Sequence, residues 1–222
     1  MTTANHTHDP WRDRMYLPNY KVAEAAYYAG IGSGTVARWH AERYGGRTLS
    51  SKDKGQPLSY MQLIEVAVVA AFRKAGVKLR KIKEARNFVS EKLGSNFPFA
   101  EYRFKSDGKE LWINYQQVDQ AIDRGTLLGV SQKGQFAWED ILGRLKEFDY
   151  EDSGVAVRWH VAGRSEPIII DPRISFGAPS VRGTPTWILW SRFKAGEKIA
   201  GIARDFDLTV DLVKSALRFE GI

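Results

Sequence analysis

Arg38, Arg43, Arg47, Lys52 and Lys54 crowd into one short stretch, and Ser33, Thr35 and His40 are interleaved with the first of them. Guanidinium and ammonium groups neutralise phosphates, while hydroxyl and imidazole groups hydrogen-bond base edges, so this mixture suits double-stranded DNA. The charge distribution points the same way. The 222-residue chain carries a net +7, and residues 1–95 hold 16 Lys and Arg against 8 Asp and Glu. Residues 96–165 hold 9 against 11, and residues 166–222 hold 8 against 7. The excess positive charge therefore belongs to one segment, as expected if that segment alone meets a polyanion.

Other chemistries find less support. The chain has no cysteine, which excludes disulfides, thiolate catalysis and sulfur-based zinc sites. His6, His8, His40 and His160 show no HExxH-type spacing, so no metal and no cofactor is expected. Asp171 follows an apolar run and has Asp205 and Glu220 as candidate companions. However, Asp171-Pro172 at a strand end is turn chemistry, and neither a paired-carboxylate spacing nor a phosphate-cradling glycine loop accompanies it. His160, in Arg158-Trp159-His160, reads as a strand residue with a satisfied hydrogen bond rather than a base. The chain is thus read as non-enzymatic. The longest apolar run, Val66 to Phe72, is far short of the roughly 20 residues that span a bilayer. The N-terminus lacks a signal-peptide apolar stretch, and the expectation is a cytoplasmic protein with no membrane partner.

The basic cluster needs helices to position it. Residues 20–30 place Val22, Ala25, Ala26 and Ala29 at helical spacing and stop at Gly30. Ser33 is a candidate cap for a second helix that turns Val36 and Trp39 to one face and Thr35, Arg38 and His40 outward. Two short helices joined by a glycine turn form a helix-turn-helix, with residues 43–57 as a basic wing. Ser59 should cap a helix whose body, Met61 to Phe72, is apolar on nearly every side, and so must be buried within the domain or against a second copy. A further amphipathic helix runs from Val77 to Leu93.

Beyond Asn96 the pattern shifts to strands. Residues 102–104 and 111–115 read as a hairpin turning at Asp107-Gly108. Further strands are expected at 127–130, 155–161 and 167–170, with a helix near 138–148 between them. Residues 171–185 concentrate glycine and proline and read as an irregular loop. Three helices close the chain near 186–194, 199–206 and 210–219, with Thr209 as a cap. The last pair has helix-turn-helix spacing, but Asp205, Asp207 and Asp211 would oppose a phosphate backbone, which favours protein binding. Trp187, Trp190 and Phe193 suit either a helix core or a partner anchor.

The segments YKVAEAAYYAGIGSGTVARWH (20–40), LSYMQLIEV (58–66) and GVKLRKI (76–82) resemble the winged-helix DNA-binding domain of MerR-type regulators, without that family's long coiled-coil helix. The resemblance implies dimers that bind operators through residues 33–40 and the wing. IDPRISFGAPSVRGTPTW (170–187), FKAGEKIAGIARDF (193–206) and VKSALRFE (213–220) are similar to a small helical family encoded as antitoxins beside PIN-like ribonuclease toxins, as in VapB/VapC-type pairs. That likeness implies a toxin-binding surface, for which Arg182, Trp187, Trp190, Arg218 and Phe219 are the candidates.

The expected fold is α+β, in four parts. They are a flexible arm (1–19), a winged helix-turn-helix (20–95), a small β-rich α+β linking domain (96–166) and a three-helix domain (167–222). The expected function is a DNA-binding antitoxin, a homodimer, that neutralises a PIN-like toxin and represses its own operon. The alternative is a stand-alone MerR-like regulator whose C-terminal part binds a ligand or dimerises.

Overall fold

The computed structural model describes residues 9–42, 47–74, 76–101, 104–106, 111–113 and 146–222. Among them the fold is α+β: helices with three separate two-stranded antiparallel pairs. The expected strand at 127–130, most of the helix at 138–148, the Asp107-Gly108 turn and Arg43 lie outside the described residues.

The N-terminal half is organised around one helix. Helices α2 (Val22–Ala29) and α3 (Ser33–His40) precede α4 (Tyr60–Lys74), which is followed by α5 (Leu79–Leu93) and the short α6 (Pro98–Glu101). Every residue of α4 from Tyr60 to Phe72 is buried, so its all-round apolar surface is satisfied within a single chain. Of the two settings the sequence leaves open for this helix, the interior of its own chain is the one observed. Ser59 caps it as expected: its Oγ accepts from Gln62 N–H (3.3 Å), while Gln62 Oε1 accepts from Ser59 N–H (2.9 Å).

The segment expected to be a loose arm is ordered from Asp9 onward. Pro10 opens helix α1 (Pro10–Arg14), where its missing N–H costs nothing. Met15 inserts into the core at 2% exposure, and Arg12 donates twice to Glu151, at 2.8 and 3.0 Å. A single apolar side chain and a long-range ion pair carry no periodicity, which is why the sequence pattern misses them.

The first strand pair, β1 (Phe104–Ser106) with β2 (Leu111–Ile113), matches the expected hairpin, with Lys105 opposite Trp112. The second joins β3 (Phe148–Tyr150) to β4 (Ala156–Trp159) and stacks Phe148 on Trp159 at 5.7 Å. Phe148, expected to end a helix, instead opens β3. Residues 169–170 then bridge two neighbours: Ile170 exchanges backbone bonds with Trp159 (2.8 and 2.9 Å) and Ile169 with Ser180 (2.9 and 3.0 Å). Within the expected irregular loop, β5 (Ser180–Val181) and β6 (Thr184–Pro185) form a hairpin around Arg182-Gly183. Strands of two residues are too short to show a period of two.

Helices α7 (Thr186–Lys194), α8 (Ile199–Asp205) and α9 (Val210–Phe219) follow closely the expected spans. They enclose a second core of Ile168, Val181, Leu189, Ile202, Val213, Ala216 and Leu217, apart from the first core around α4. The two halves meet through side chain to backbone bonds. Asn19 Nδ2 donates to Phe176 O (2.5 Å) and Tyr20 OH to Gly177 O (2.9 Å). Gly177 has φ +80°, and a Cβ there would sit 2.2 Å from Tyr20 Oη, so the close approach itself requires glycine. Tyr27 OH donates to Phe219 O (2.5 Å), and Tyr28 stacks on the Phe219 ring at 6.0 Å.

Thr209 Oγ1 accepts from Leu212 N–H (3.3 Å) at the start of α9. Thr209→Ala should therefore cost about 1 kcal/mol, read as a lowered midpoint in denaturant with an unchanged slope.

Candidate functional site

Helices α2 and α3 form a tight pair. Gly30, in the left-handed region at φ +62°, ends α2, and Ile31 N–H donates back to Ala26 O (2.9 Å). Val36 (0% exposed) and Trp39 (5%) pack into the same core as Ala25 and Ala26, which leaves Ser33, Gly34, Ala37 and Arg38 as the solvent face of α3. Thr35 is half-buried and accepts a 3.0 Å hydrogen bond from Arg38 Nη2. Ser33 does not cap the helix. Gly32 occupies the cap position and Ser33 is the first helical residue.

His40 departs from its expected outward position. It is 7% exposed, and Nδ1, carrying the hydrogen, donates to Ser50 O at 2.9 Å. Burial, opposed by that hydrogen bond, lowers the imidazole below its usual range and keeps it neutral. The last turn of α3 faces the incoming loop rather than solvent, so His40 fastens the loop and presents only a small part of its ring.

Residues 47–58 return along α3 to α4. Thr48 and Leu49 N–H both donate to Trp39 O (3.1 and 3.2 Å), and Leu49 is fully buried. Ser50 N–H donates to Glu65 Oε2 (3.1 Å), Gln62 Nε2 donates to Ser51 O (2.8 Å), and Leu58 bridges antiparallel to Tyr20. No strand pair forms within described residues 47–57. Residues 47–57 form a loop held down by backbone bonds to Trp39 and by the Glu65 and Gln62 side chains. Beneath it the Glu65 carboxylate is fully buried with Arg86 Nε 3.7 Å away. Burial raises this carboxyl to about 7, opposed by Arg86 and the Ser50 hydrogen bonds.

Helix and loop enclose an open groove of about 720 Å³ lined by Lys21, Ser33, Ala37, Lys52, Lys54 and Gln56, among others. Lys54 is exposed; Lys52 is half-buried and donates to Asp53 O (3.0 Å). Arg47 is engaged by Glu42 at 2.9 Å. Ser33, Lys52 and Lys54 are thus brought to one groove, with Arg38 beside it on the open face of α3 and the largely buried His40 in its inner wall. Lys21 is a groove cation that the sequence reading missed. Its position one residue before α2 was the available signal, but only the fold brings it opposite Lys52 and Lys54. Glu65 was missed because a lone acid in an apolar helix announces nothing about its partner.

The C-terminal candidates separate into two groups. Arg182 and Trp187 (56% exposed) face solvent, and Arg218 is exposed while donating to Ser215 Oγ (2.8 Å) and pairing with Glu166 (3.5 Å). Trp190 is half-buried against the second core beneath Lys194 Nζ, and Phe219 is half-buried against Tyr27 and Tyr28.

The three carboxylates considered for catalysis do not converge. Asp171 is fully buried between Arg173, which donates to both of its oxygens (2.7 and 2.8 Å), and Arg158 (3.1 Å). Burial alone would raise this carboxyl, but the Arg173 hydrogen bonds outweigh it and hold it below the ordinary carboxylate range. Asp205 pairs with Arg192 (2.7 Å), and Glu220 accepts from Thr186 Oγ1 (2.5 Å). His160 Nε2 lies 3.1 Å from Asp149 Oδ2 and 3.2 Å from Arg164 Nη1, beside an ion pair rather than in an open site.

Residues 168–219 match the model of a family known only as a protein of unknown function, DUF433. Over 230 residues, 92% of this chain and 94% of the relative, the chain is 25% identical to a Mycobacterium tuberculosis (strain ATCC 25618 / H37Rv) protein named as a candidate antitoxin, VapB45. The crystal structure of Rv2018 from Mycobacterium tuberculosis has the same fold, with a TM-score of 0.66 at 21% identity, over 92% of this chain and 99% of that one.

The buried Glu65 has a measurable consequence. Its carboxyl titrates near 7 in the folded chain against an ordinary 4.5, so the native state binds more protons across that window. Stability should fall as pH rises from about 4.5 to 7, by about 3 kcal/mol for this group. Thermal melts between pH 5 and 8 should show a steeper decline for the wild type than for Glu65→Gln; parallel profiles would remove Glu65 as the source.

Proposed function

We propose that the chain is a DNA-binding antitoxin: a MerR-like winged helix-turn-helix in residues 20–95 reads an operator, residues 96–166 link, and residues 167–222 hold a PIN-like ribonuclease toxin. Direct binding silences the toxin, and the complex represses its own operon. The observation that carries the DNA half is the groove between α3 and the 52–57 loop, where Lys21, Lys52 and Lys54 line the walls beside the open face of α3. That geometry suits a helix in the major groove with flanking cations on phosphates. Within it Ser33, Thr35 and Arg38 are the helix-borne contacts, and Arg43, Arg47, Lys52 and Lys54 the flanking cations. The toxin half is supported by the 25% identity to VapB45 along nearly the whole chain. Arg182, Trp187 and Arg218 supply the exposed part of its surface, since Trp190 and Phe219 are largely occupied within the chain. A homodimer on a palindromic site remains the working assembly on the helix-turn-helix reading alone, because α4 is already covered by its own chain. The chain works in the cytoplasm, where operator and toxin both reside.

One observation favours the second reading, a regulator that binds a ligand. A cleft of about 280 Å³ between α2, α4 and the β3–β4 pair is lined by Tyr28, Lys74, Glu147, Phe148 and Trp159. Its aromatic walls suit a small flat ligand, while Lys74 donates to Ala29 O (3.1 Å) and Glu147 accepts from Trp159 Nε1 (3.4 Å).

Two measurements test the proposal. Arg38→Ala should weaken binding to the DNA upstream of the chain's own gene by about 1–3 kcal/mol and relax its sequence preference. Reversing Lys52 and Lys54 to Glu should weaken binding on all sequences and flatten the salt dependence by roughly two contacts. Unchanged binding in all three would move the interface elsewhere. On the toxin side, co-expression with the product of the neighbouring reading frame should relieve its toxicity and yield a stable complex; failure of both would overturn the antitoxin assignment.

A further inference from the structure

We propose that residues 14–17 and the turns at Phe176 and Arg182 together form a protein-docking face for a carboxylate-bearing, partly apolar surface. This rests on the reading that the chain holds a protein partner, and it locates that partner across the joint between the two halves rather than on α7 and α9 alone.

The face is defined by exposed side chains that the fold holds rigidly. Phe176 is 70% exposed, Leu17 57% and Tyr16 50%. Arg14 and Asn19 both reach Phe176, the first with its guanidinium 5.0 Å from the ring centre and the second by its bond to the Phe176 carbonyl. Tyr16 and Leu17 lie in the chain between these two contacts, with the Tyr16 ring packed on Phe97 at 5.7 Å. On the other side Ser175 Oγ donates to Gly183 O (3.3 Å), which ties the Phe176 turn to the Arg182 turn.

Backbone conformation singles out the same residues. Ser175, Phe176 and Arg182 have φ of +47°, +55° and +46°. Glycine or asparagine adopts this left-handed conformation at lower cost than a residue with a large side chain. Here an aromatic ring and a guanidinium occupy it, both turned to solvent, with Asn19, Tyr20 and Ser175 pinning the neighbouring carbonyls. An exposed ring held in a costly conformation gains nothing for the core, and aromatic and arginine side chains are those on which binding energy concentrates.

Charge selects the occupant. Arg14 and Arg182 are exposed, and residues 14–19, 175–177 and 182 include no carboxylate. Glu101 accepts from Ser95 Oγ and hydrogen-bonds the Tyr16 side chain, so this carboxylate sits at the Tyr16 edge. A second copy across a two-fold axis would therefore bring uncompensated arginines on both sides. DNA would satisfy the arginines but leave Tyr16, Leu17 and Phe176 unburied. A protein surface with carboxylates around an apolar centre satisfies both sets.

The test measures calorimetric affinity of the full chain for the protein encoded by the neighbouring reading frame. Phe176→Ala and Leu17→Ser should each weaken binding by at least about tenfold with an unchanged melting temperature. Phe176→Gly should melt higher, because it relaxes the left-handed backbone, and yet bind as weakly as Phe176→Ala. Wild-type affinity in these variants, with the complex lost in Trp187→Ala, overturns this face and leaves the partner reading standing. No binding by the wild-type chain overturns both. A change confined to self-association, seen by sedimentation, or to operator affinity assigns the face to a second copy or to DNA, and equally overturns the proposal.

Discussion

The requirement that α4 be surrounded governs this structure. A helix apolar on every side has no face to give to water, so its stability depends on how completely other elements cover it. Helices α2, α3 and α6 cover part, and Met15 from the N-terminal segment joins them. Phe148, Ala156, Trp159 and Ile170, far along the chain, enter the same core. The core beneath the α2–α3 pair is therefore completed by residues that sequence order would assign to another domain. The hydrogen bonds that stitch Ser50 and Ser51 to α4 depend on that coverage as well, because leaving Ser50 N–H and Glu65 unpaired would be costly only in a dry interior.

How much was legible in the sequence follows from the range of each interaction. The helices α2, α3, α4 and α7 to α9 were legible because periodicity, caps and terminating glycines are local signals. Arg38, Lys52 and Lys54 were legible as cations, and the open side of α3 followed from Val36 and Trp39 turning inward. His40 was misjudged because its setting is fixed by Ser50 and α4, neither of which a helical projection includes. The order of residues 9–19, the buried Glu65 and Arg86 pair, and the β5–β6 hairpin all rest on contacts distant in sequence or on strands two residues long. The burial of α4 was foreseen, and covering by its own chain was one of the two settings left open.

The C-terminal three-helix unit keeps its own core, and besides Ile170 in the first core and the Tyr28–Phe219 stacking, three directional bonds fix it against the first half. Tyr20, Asn19 and Tyr27 each donate to a backbone carbonyl, at Gly177, Phe176 and Phe219. Directional bonds to carbonyls fix orientation more sharply than apolar contact does, since a small rotation breaks them while leaving buried area almost unchanged. The two halves are thus held at a set angle.

Gly177 shows what that joint means for how such a chain can change. The carbonyl it lends to Tyr20 comes from a residue 157 positions away, and the missing side chain is the space the phenol occupies. Within an isolated C-terminal unit that space would be empty, and the glycine would answer only to its left-handed backbone. Once the unit is fused to a partner half bearing a tyrosine at this seat, the same position loses its remaining freedom. Recombination of such halves is therefore gated by a hydroxyl and a hydrogen atom, and a drift at either end would first be felt as a change in the angle between two surfaces rather than as a loss of either fold.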